Sequence, residues 1–346
     1  MRTYDNTPTS KMQAAIDGYS RRKMLADKIA DLYDSTDTLW EYASKIRGCG
    51  STIICRRYEG DILEIAHALF CRCRLCPMCA WRRSLKAYGQ LSDCMTYLDT
   101  LEIAAGHKPW QYILITLTVR NCLPADLPET IDLLLDSFAR LRRDKTWRNA
   151  IHGCHRSLEV VYNPVSGDMH PHLHLLCAVR PSYYTSKAYI SHDTLMHLWQ
   201  RCLRIAYEPT VDIRRCEVGN SGSLAEVTKY VTRHDKWLDL PDNISTWVLM
   251  ALHCSLHGRK LFATYGIIRD AHRALHLSDE DGDLLNVGET DDQIASNIRA
   301  DLKYTLQAYT YIPSQGYMAI DEDKLTINQH SYWSALSHDP NCITDV

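Results

Sequence analysis

The sequence contains no apolar run long enough to cross a membrane, and its N-terminus, Met1-Arg2-Thr3-Tyr4-Asp5, has no apolar segment of the signal-peptide kind. We therefore expect a protein of the cytoplasm that is neither exported nor embedded in a membrane. Internal repeats are also absent. The 346 residues are enough for two or three domains, each of which can bury a core.

The sequence also lacks the excess of positive charge expected of a nucleic-acid enzyme, because its formal net charge is −3. The charges are, however, segregated along the chain. Acidic residues concentrate between 279 and 292, which we interpret as a solvated connector. Taken alone, a basic run is more often a solvated helix face than a nucleic-acid contact. Two runs are basic: Arg72, Arg74, Arg82, Arg83 and Lys86, and then Arg140, Arg142, Arg143, Lys145 and Arg148.

Fourteen cysteines are present, although a reducing compartment does not favour disulfides. Four of them fall within nine residues, in Cys71-Arg72-Cys73-Arg74-Leu75-Cys76-Pro77-Met78-Cys79. Cys-x2-Cys spacing is typical of a tetrahedral zinc site, and Cys49 would close it as a fourth ligand. We predict structural Zn²⁺ on Cys49, Cys71, Cys76 and Cys79, although Cys55 and Cys73 make six candidates for four positions.

The pattern of apolar residues divides the chain into three regions. Residues 1–105 are predicted to be a helical N-terminal region with the cysteine-rich knuckle and a long basic helix. Residues 106–240 alternate strands and helices in the order β-α-β-β-α-β-α, and residues 241–346 are predicted to be mainly helical with an acidic segment and a tail. The middle order predicts an α+β fold of the ferredoxin or RRM kind, an antiparallel sheet with helices on one face and the other face free for a ligand.

The strongest chemical signal is the predicted strand Met169-His170-Pro171-His172-Leu173-His174-Leu175. Side chains alternate along a strand, so His170, His172 and His174 share a face while the leucines point into the core. Two adjacent imidazoles can chelate one divalent ion. The alternative is three surface histidines on a solvated strand, and a flanking apolar pattern makes metal binding the favoured interpretation.

A hairpin turn within 163–168 brings a third candidate ligand to the same face. If Ser166 and Gly167 are the central turn residues, Glu159 lies opposite His174 on the neighbouring strand. The alternative for Glu159 is an ordinary exposed carboxylate, and a change of turn would shift the pairing.

A further signal is Ser223-Leu224-Ala225-Glu226-Val227-Thr228-Lys229-Tyr230, in which Glu226 and Tyr230 share a helix face at spacing i, i+4. A tyrosine could attack a metal-bound phosphate, and a nearby carboxylate could activate water. The spacing of Ser223 and Glu226 is also that of a capping box, and one of twenty tyrosines near a helix is usually a packing residue.

Together and in this order, four motifs resemble the plasmid rolling-circle replication initiators of the HUH endonuclease superfamily. The resemblance covers about residues 49–236. It departs from the family pattern at Cys73, inside the cysteine cluster. The motifs are Phe70 to Lys86, Leu117-Thr118-Val119-Arg120-Asn121, His170-Pro171-His172-Leu173-His174 and Glu226 to Tyr230.

The resemblance implies an origin-specific nickase and strand transferase that remains joined to DNA through a 5′-phosphotyrosine. By position, Tyr230 matches the nucleophile, Glu226 the general base of termination, and His172 and His174 the pair that binds Mg²⁺ or Mn²⁺. Glu159 is the third candidate ligand on the ground of the hairpin pairing. The candidate DNA contacts are Arg74, Arg82, Arg83, Lys86 and Lys229.

The implied partners are the double-strand origin of a plasmid, single-stranded DNA, and the host helicase and polymerase. The sequence has no Gly-x4-Gly-Lys-Ser/Thr phosphate loop, so the helicase must be a separate protein. A homodimer is left open. Two alternatives are a relaxase or single-strand transposase, which would share the histidines and the tyrosine, and a zinc-stabilised DNA-binding protein without activity.

Overall fold

A computed structural model describes residues 10–59, 62–216, 221–228, 236–279, 282, 284–285 and 302–343. The first half of the described chain contains α1 (Ser10–Asp34), α2 (Glu41–Arg47), β1 (Thr52–Tyr58), β2 (Ile62–Ala68), α3 (Pro77–Ala104), β3 (Gln111–Thr118), α4 (Leu127–Leu141), α5 (Lys145–Ala150), β4 (Gly153–Asn163) and β5 (Asp168–Val179). The second half contains α6 (His192–Leu203), β6 (Val211–Cys216), α7 (Ser221–Thr228), α8 (Asp242–Leu256), β7 (Phe262–Gly266), α9 (Ile267–Ala274), β8 (Tyr304–Ile312), β9 (Gly316–Ile320) and α10 (Ile327–Ser337).

The fold is α+β, with two antiparallel sheets and helices, as the sequence predicts at that level. The chain separates into two compact units, Met1–Leu85 with Asp283–Val346 and Lys86–Gly282. Among the described residues, no helix is both long and apolar enough to span a membrane.

The first unit contains a four-stranded sheet in the order β2-β1-β8-β9. Apolar side chains of α1, including Met12, Ile16 and Tyr19, pack with Ile53 and Ile65 of the sheet in one buried cluster. The predictions of a helical region before residue 106 and of a mainly helical region after 241 are therefore incomplete, because both contain strands of this sheet. Short strands that pair with a distant part of the chain have little local signal, since their stability comes from the partner strand.

The second unit contains a five-stranded sheet in the order β6-β3-β5-β4-β7. The four strands of the predicted order β-α-β-β-α-β-α are present as β3, β4, β5 and β6, and β7 is added at one edge. The strand pairings described in this sheet are all antiparallel.

One face of this sheet, which we call the histidine face, carries the side chains of His172 and His174. The expectation that this face is free for a ligand is only partly correct. Leu114 and Leu176 on the histidine face belong to a buried cluster that also contains Leu91 of α3 and Val227 of α7. The near-continuous run of apolar residues in β3 indicates that other elements pack on both faces of this strand. The ligand face is thus confined to the end of the sheet where the histidines lie.

Candidate metal and nucleic-acid site

Glu159, His172 and His174 come together on the histidine face, at the end away from Leu114 and Leu176, where Glu159 and His172 are buried and His174 is half-buried. The Nε2 atoms of the two histidines are 3.0 Å apart. The Oε2 atom of Glu159 lies 3.0 Å from His174 Nε2 and 3.3 Å from His172 Nε2. The three potential ligand atoms lie within 4.8 Å of one another, which is the arrangement of a group that could hold one metal ion.

The register of the hairpin differs from the prediction by two residues. Glu159 lies opposite His172, and Ser157 lies opposite His174. The connecting loop is four residues long because the side chain of Asn163 accepts hydrogen bonds from the main chain of the loop and Gly167 adopts a φ of 72°. A shift of two residues keeps every side chain on its face, so Glu159 still meets the histidines.

The other nitrogen of each histidine has a partner that orients the ring. Nδ1 of His174 is 3.1 Å from the hydroxyl of Thr116, and Nδ1 of His172 is 3.1 Å from the carbonyl oxygen of His170. Such contacts turn the Nε2 atoms toward a common point. Thr116 was not among the predicted site residues, although the alternation Thr116-Leu117-Thr118 places both threonines on the histidine face.

The electrostatics of the site favour an ionised carboxylate. Burial of Glu159 opposes ionisation, but hydrogen bonds from His172 and His174 outweigh it and hold the pKa of Glu159 well below its usual value. An ionised carboxylate is the form that binds a cation. His170, the third histidine of the motif, is not part of the group, because its Nδ1 lies 2.7 Å from Oδ1 of Asn121. Burial lowers the pKa of His170.

The helix α7 carries the predicted base and leads to the predicted nucleophile. It packs on β4 and β5, and Leu224 and Val227 join the buried cluster of the histidine face. Ser223 and Glu226 both belong to α7, which spans Ser221–Thr228. Lys229 and Tyr230 lie outside the described residues.

The four thiols predicted to bind zinc lie together in the first unit. The sulfur of Cys79 is 3.5 Å from that of Cys49 and 3.7 Å from that of Cys71, and Cys76 completes the group. Sulfurs at the corners of a tetrahedron around a metal at about 2.3 Å would be about 3.8 Å apart, so the spacing fits Zn²⁺.

The loop that carries these cysteines has features of a metal knuckle. The amides of Cys71 and Arg72 donate hydrogen bonds to the sulfurs of Cys49 and Cys79, and Arg72 has a positive φ of 59°. Burial alone would raise the pKa of Cys76, yet hydrogen bonds from the neighbouring thiols hold it well below the usual value. The pKa values of the other three thiols, Cys49, Cys71 and Cys79, are raised, mainly through hydrogen bonds within the group, so Cys76 is the member that is favoured as a thiolate.

Two further cysteines were open alternatives as ligands. Cys55 lies on β1 inside the apolar cluster around α1, where burial raises the pKa of its thiol. The Cys73 thiol donates to the carbonyl oxygen of Cys71 at 3.7 Å. Neither belongs to the group of four, so the structure separates the six candidates by position.

Three of the predicted DNA contacts are buried instead of exposed. Arg82, Arg83 and Lys86 are 3%, 1% and 3% exposed. Their donors reach main-chain carbonyl oxygens, those of Leu284 and Leu285 for Arg82, of Arg72 and Cys73 for Arg83, and of Asp279 for Lys86. Charges fixed on the main chain stabilise loops and are not available to phosphate, so this part of the prediction is corrected. Arg74 is half-buried, on the knuckle itself.

Comparison with known proteins gives the chain a family. A family model described as a replication protein, Rep_1, matches residues 62–312. A "Protein rep" of Streptococcus pneumoniae serotype 2 is 32% identical over 285 residues, which cover 80% of this chain and 86% of that protein. A "Protein rep" of Bacillus amyloliquefaciens is 30% identical over 325 residues, which cover 84% of this chain and 91% of that protein.

A shorter match, to a "Protein rep" of Staphylococcus aureus, is 33% identical over 169 residues, which cover 49% of this chain and 71% of that protein. No solved structure matches the chain at a significant level. The matched residues 62–312 include Glu159, His172 and His174 and most of the cysteine knuckle. The resemblance to replication initiators that the motifs indicate is thereby confirmed, and the chain belongs to the Rep_1 family of replication proteins.

Proposed function

We propose that this protein initiates rolling-circle replication of a plasmid by nicking one strand of its double-strand origin. The observation that carries the proposal is the group of Glu159, His172 and His174 on a sheet face against which α7 also packs. The chain reaches Tyr230 two residues after α7 ends at Thr228. A metal-ligand group, and a tyrosine that follows in the sequence a helix packed on the same strands, match the chemistry of a nickase in a replication protein.

The reaction is a transesterification in which Tyr230 is the nucleophile. Its phenolic oxygen forms a bond to the scissile phosphorus, the bond from phosphorus to the 3′ oxygen breaks, and the phenolic proton passes to solvent while the departing oxygen becomes a 3′-hydroxyl. The protein is then joined to the 5′ end as a phosphotyrosine. One phosphodiester replaces another, so no nucleotide triphosphate is consumed, and the 3′-hydroxyl is the primer for a host polymerase.

The donor atoms of the group fit a divalent cation. Two imidazole nitrogens and a carboxylate oxygen suit Mn²⁺ better than Mg²⁺, which prefers ligands that are all oxygen. His172, His174 and Glu159 would hold the ion, and Thr116 and the carbonyl oxygen of His170 would orient the two rings. When bound, the ion supplies Lewis-acid polarisation of the scissile phosphate.

Termination needs a second cleavage, for which Glu226 is the proposed general base. A carboxylate can accept the proton of a water that attacks the regenerated origin, which leaves a 3′-hydroxyl on the displaced strand and a 5′-phosphate on the new strand, so that no second phosphotyrosine forms. The new 3′-hydroxyl then attacks the phosphotyrosine, which closes the displaced strand into a circle and frees the hydroxyl of Tyr230. The place of Glu226 on α7 supports this role, because α7 packs on β4 and β5, the strands that carry Glu159, His172 and His174.

The remaining parts of the proposal concern architecture and partners. The order β6-β3-β5-β4 places β3 and β5 at the centre of two interleaved βαβ units, which supports the ferredoxin-like nickase fold. The spacing of Cys49, Cys71, Cys76 and Cys79 supports a structural Zn²⁺. Strand separation beyond the nick is assigned to a host helicase.

The decisive experiment is cleavage of a supercoiled plasmid carrying the cognate origin, with mapping of the peptide joined to the 5′ end. We expect Tyr230→Phe to abolish nicking and covalent linkage while DNA binding changes little, because only the nucleophilic oxygen is lost. Tyr184→Phe is the matched control and should nick like the wild type. A covalent adduct on Tyr183, Tyr184 or any tyrosine other than Tyr230 would refute the assignment.

A further inference from the structure

Three tyrosines form an aromatic cluster between β5 and α6, which we call the tyrosine platform: Tyr183, Tyr184 and Tyr189. The ring of Tyr183 contacts those of Tyr184 and Tyr189 edge-on, with centroids 5.1 Å and 5.3 Å apart, and the latter two rings are 6.0 Å apart. Tyr184 is 40% exposed and Tyr189 is 47% exposed, whereas Tyr183 is buried. Two large rings thus face solvent side by side on a buried third ring.

The platform is held rigidly by its own loop. The hydroxyl of Tyr183 accepts a hydrogen bond from the amide of Ile190 at 3.2 Å and donates to its carbonyl oxygen at 3.4 Å. The hydroxyl of Ser186 donates to the carbonyl oxygen of Tyr183, and the amide of Ala188 donates to Ser186. Tyr183 is thus a fixed support for the two exposed rings that pack against it, which reduces the conformational entropy that those rings lose when they stack on a ligand.

A positive charge accompanies the exposed rings. The guanidinium carbon of Arg215, on β6, lies 5.4 Å from the centroid of the Tyr184 ring. Arg215 lies opposite Ile113 and Arg214 lies opposite Leu114, so these consecutive arginines project from the two faces of β6. β6 is an outermost strand of the described five-stranded sheet. Exposed aromatic rings combined with arginine form the usual recognition surface for bases and phosphates of a single strand.

The platform and the metal-ligand group belong to the same compact unit, and β6 connects them. Asp212 on β6 lies opposite Thr116, whose hydroxyl contacts His174. From Asp212 to Arg215 the strand advances about 10 Å, and β3 and β5 add about 10 Å across the sheet. Because Arg215 lies opposite Ile113, its side chain leaves the face opposite to the histidine face, so single-stranded DNA that reaches both places must pass around β6, the outermost strand.

We infer that Tyr184, Tyr189 and Arg215 form a stacking subsite for single-stranded DNA, which binds nucleotides flanking the scissile phosphate. The inference rests on the proposed function, because it assigns the flanking part of the same DNA substrate to this surface. Stacking on tyrosine tolerates any base, so the subsite contributes affinity and holds the displaced strand without reading its sequence.

The test is the affinity of the full-length protein for a fluorescein-labelled 30-nucleotide oligo(dT), measured by fluorescence anisotropy. Oligo(dT) does not contain the origin, so cleavage does not interfere. We expect Tyr184→Ala or Tyr189→Ala to weaken binding about 5- to 150-fold, the effect of losing one base–aromatic stack. The phenylalanine variants at the same positions keep the rings and should bind like the wild type. Tyr332→Ala removes an exposed tyrosine of the other unit and is the matched control.

A second readout locates the contact. Oligo(dT) substituted with 5-iododeoxyuridine should crosslink on irradiation to a peptide that contains Tyr184 or Tyr189. Wild-type affinity in the double alanine variant, or equal losses in the alanine and phenylalanine variants, would overturn the inference. Circular dichroism shows whether the alanine variants fold. If they do not, the wild-type protein alone tests the inference, and a crosslinked peptide without Tyr184 and Tyr189 would overturn it.

Failure of this inference and failure of the proposed function are separable by nicking of the origin plasmid in parallel. If the wild type nicks but the double alanine variant binds oligo(dT) normally, the stacking subsite is wrong and the nickase stands. If the wild type does not nick but ring removal weakens oligo(dT) binding, the subsite stands and the nickase proposal is wrong.

Discussion

Removal of the guanidinium of Arg83 should destabilise the cysteine knuckle and leave phosphate contacts unchanged. Arg83 is 1% exposed and donates to the carbonyl oxygens of Arg72 at 2.6 Å and of Cys73 at 3.3 Å. A hydrogen bond from a charged donor contributes about 1.5–3 kcal/mol, and the shorter of these two dominates. Arg83→Ala leaves two carbonyl oxygens without this donor, so we expect a loss of roughly 2–4 kcal/mol in the free energy of unfolding.

The assay combines denaturant unfolding with the salt dependence of DNA binding. Each lost phosphate contact would reduce the slope of log K against log salt by about 0.7–0.9. We expect that slope to be unchanged in Arg83→Ala, while zinc is released at lower denaturant concentration. Arg143→Ala, at an exposed arginine of the second basic run, is the stability control and should change it by less than about 0.5 kcal/mol. If Arg83→Ala leaves the free energy of unfolding unchanged but reduces the slope of log K against log salt, the structural role is refuted and Arg83 contacts DNA.

Three further predictions follow from the two metal-ligand groups and from α7. His172→Ala should abolish cleavage in Mn²⁺, and Glu159→Ala should weaken the affinity for Mn²⁺ more than the affinity for DNA. Full activity of the wild type in excess chelator would exclude a role for the metal. Cys79→Ser should lose one equivalent of zinc by atomic absorption and unfold the first unit, and zinc-free wild-type protein that is folded would contradict this. Glu226→Gln should spare first-strand nicking by Tyr230 but reduce release of unit-length circles by about 10²- to 10⁴-fold, so multimeric strands accumulate. If the ratio of first-strand nicking to release of unit-length circles is unchanged, Glu226 has no catalytic role.

Several features of this protein follow from the sequence because they depend on local periodicity or on close spacing. The alternation of His170, His172 and His174 with leucines defines a strand and a shared face without knowledge of the fold. Cys-x2-Cys spacing identifies the cysteine cluster but leaves six candidates for four positions, and the structure brings the predicted four, Cys49, Cys71, Cys76 and Cys79, together. Glu159 also reaches the histidines despite the error in register, because an error of two residues preserves the face of a strand.

Other features depend on contacts between distant parts of the chain. Arg82 and Arg83 were predicted to contact DNA, but they donate hydrogen bonds to the carbonyl oxygens of Leu284 and Cys73. The sequence of a basic run does not indicate which of these two acceptors its side chains bind. Thr116 joins the site only through pairing of β3 with β5, and the tyrosine platform meets Arg215 only because β6 folds beside its loop. Periodicity reports which side of its own element a residue lies on, whereas the partner across that face is fixed by tertiary packing.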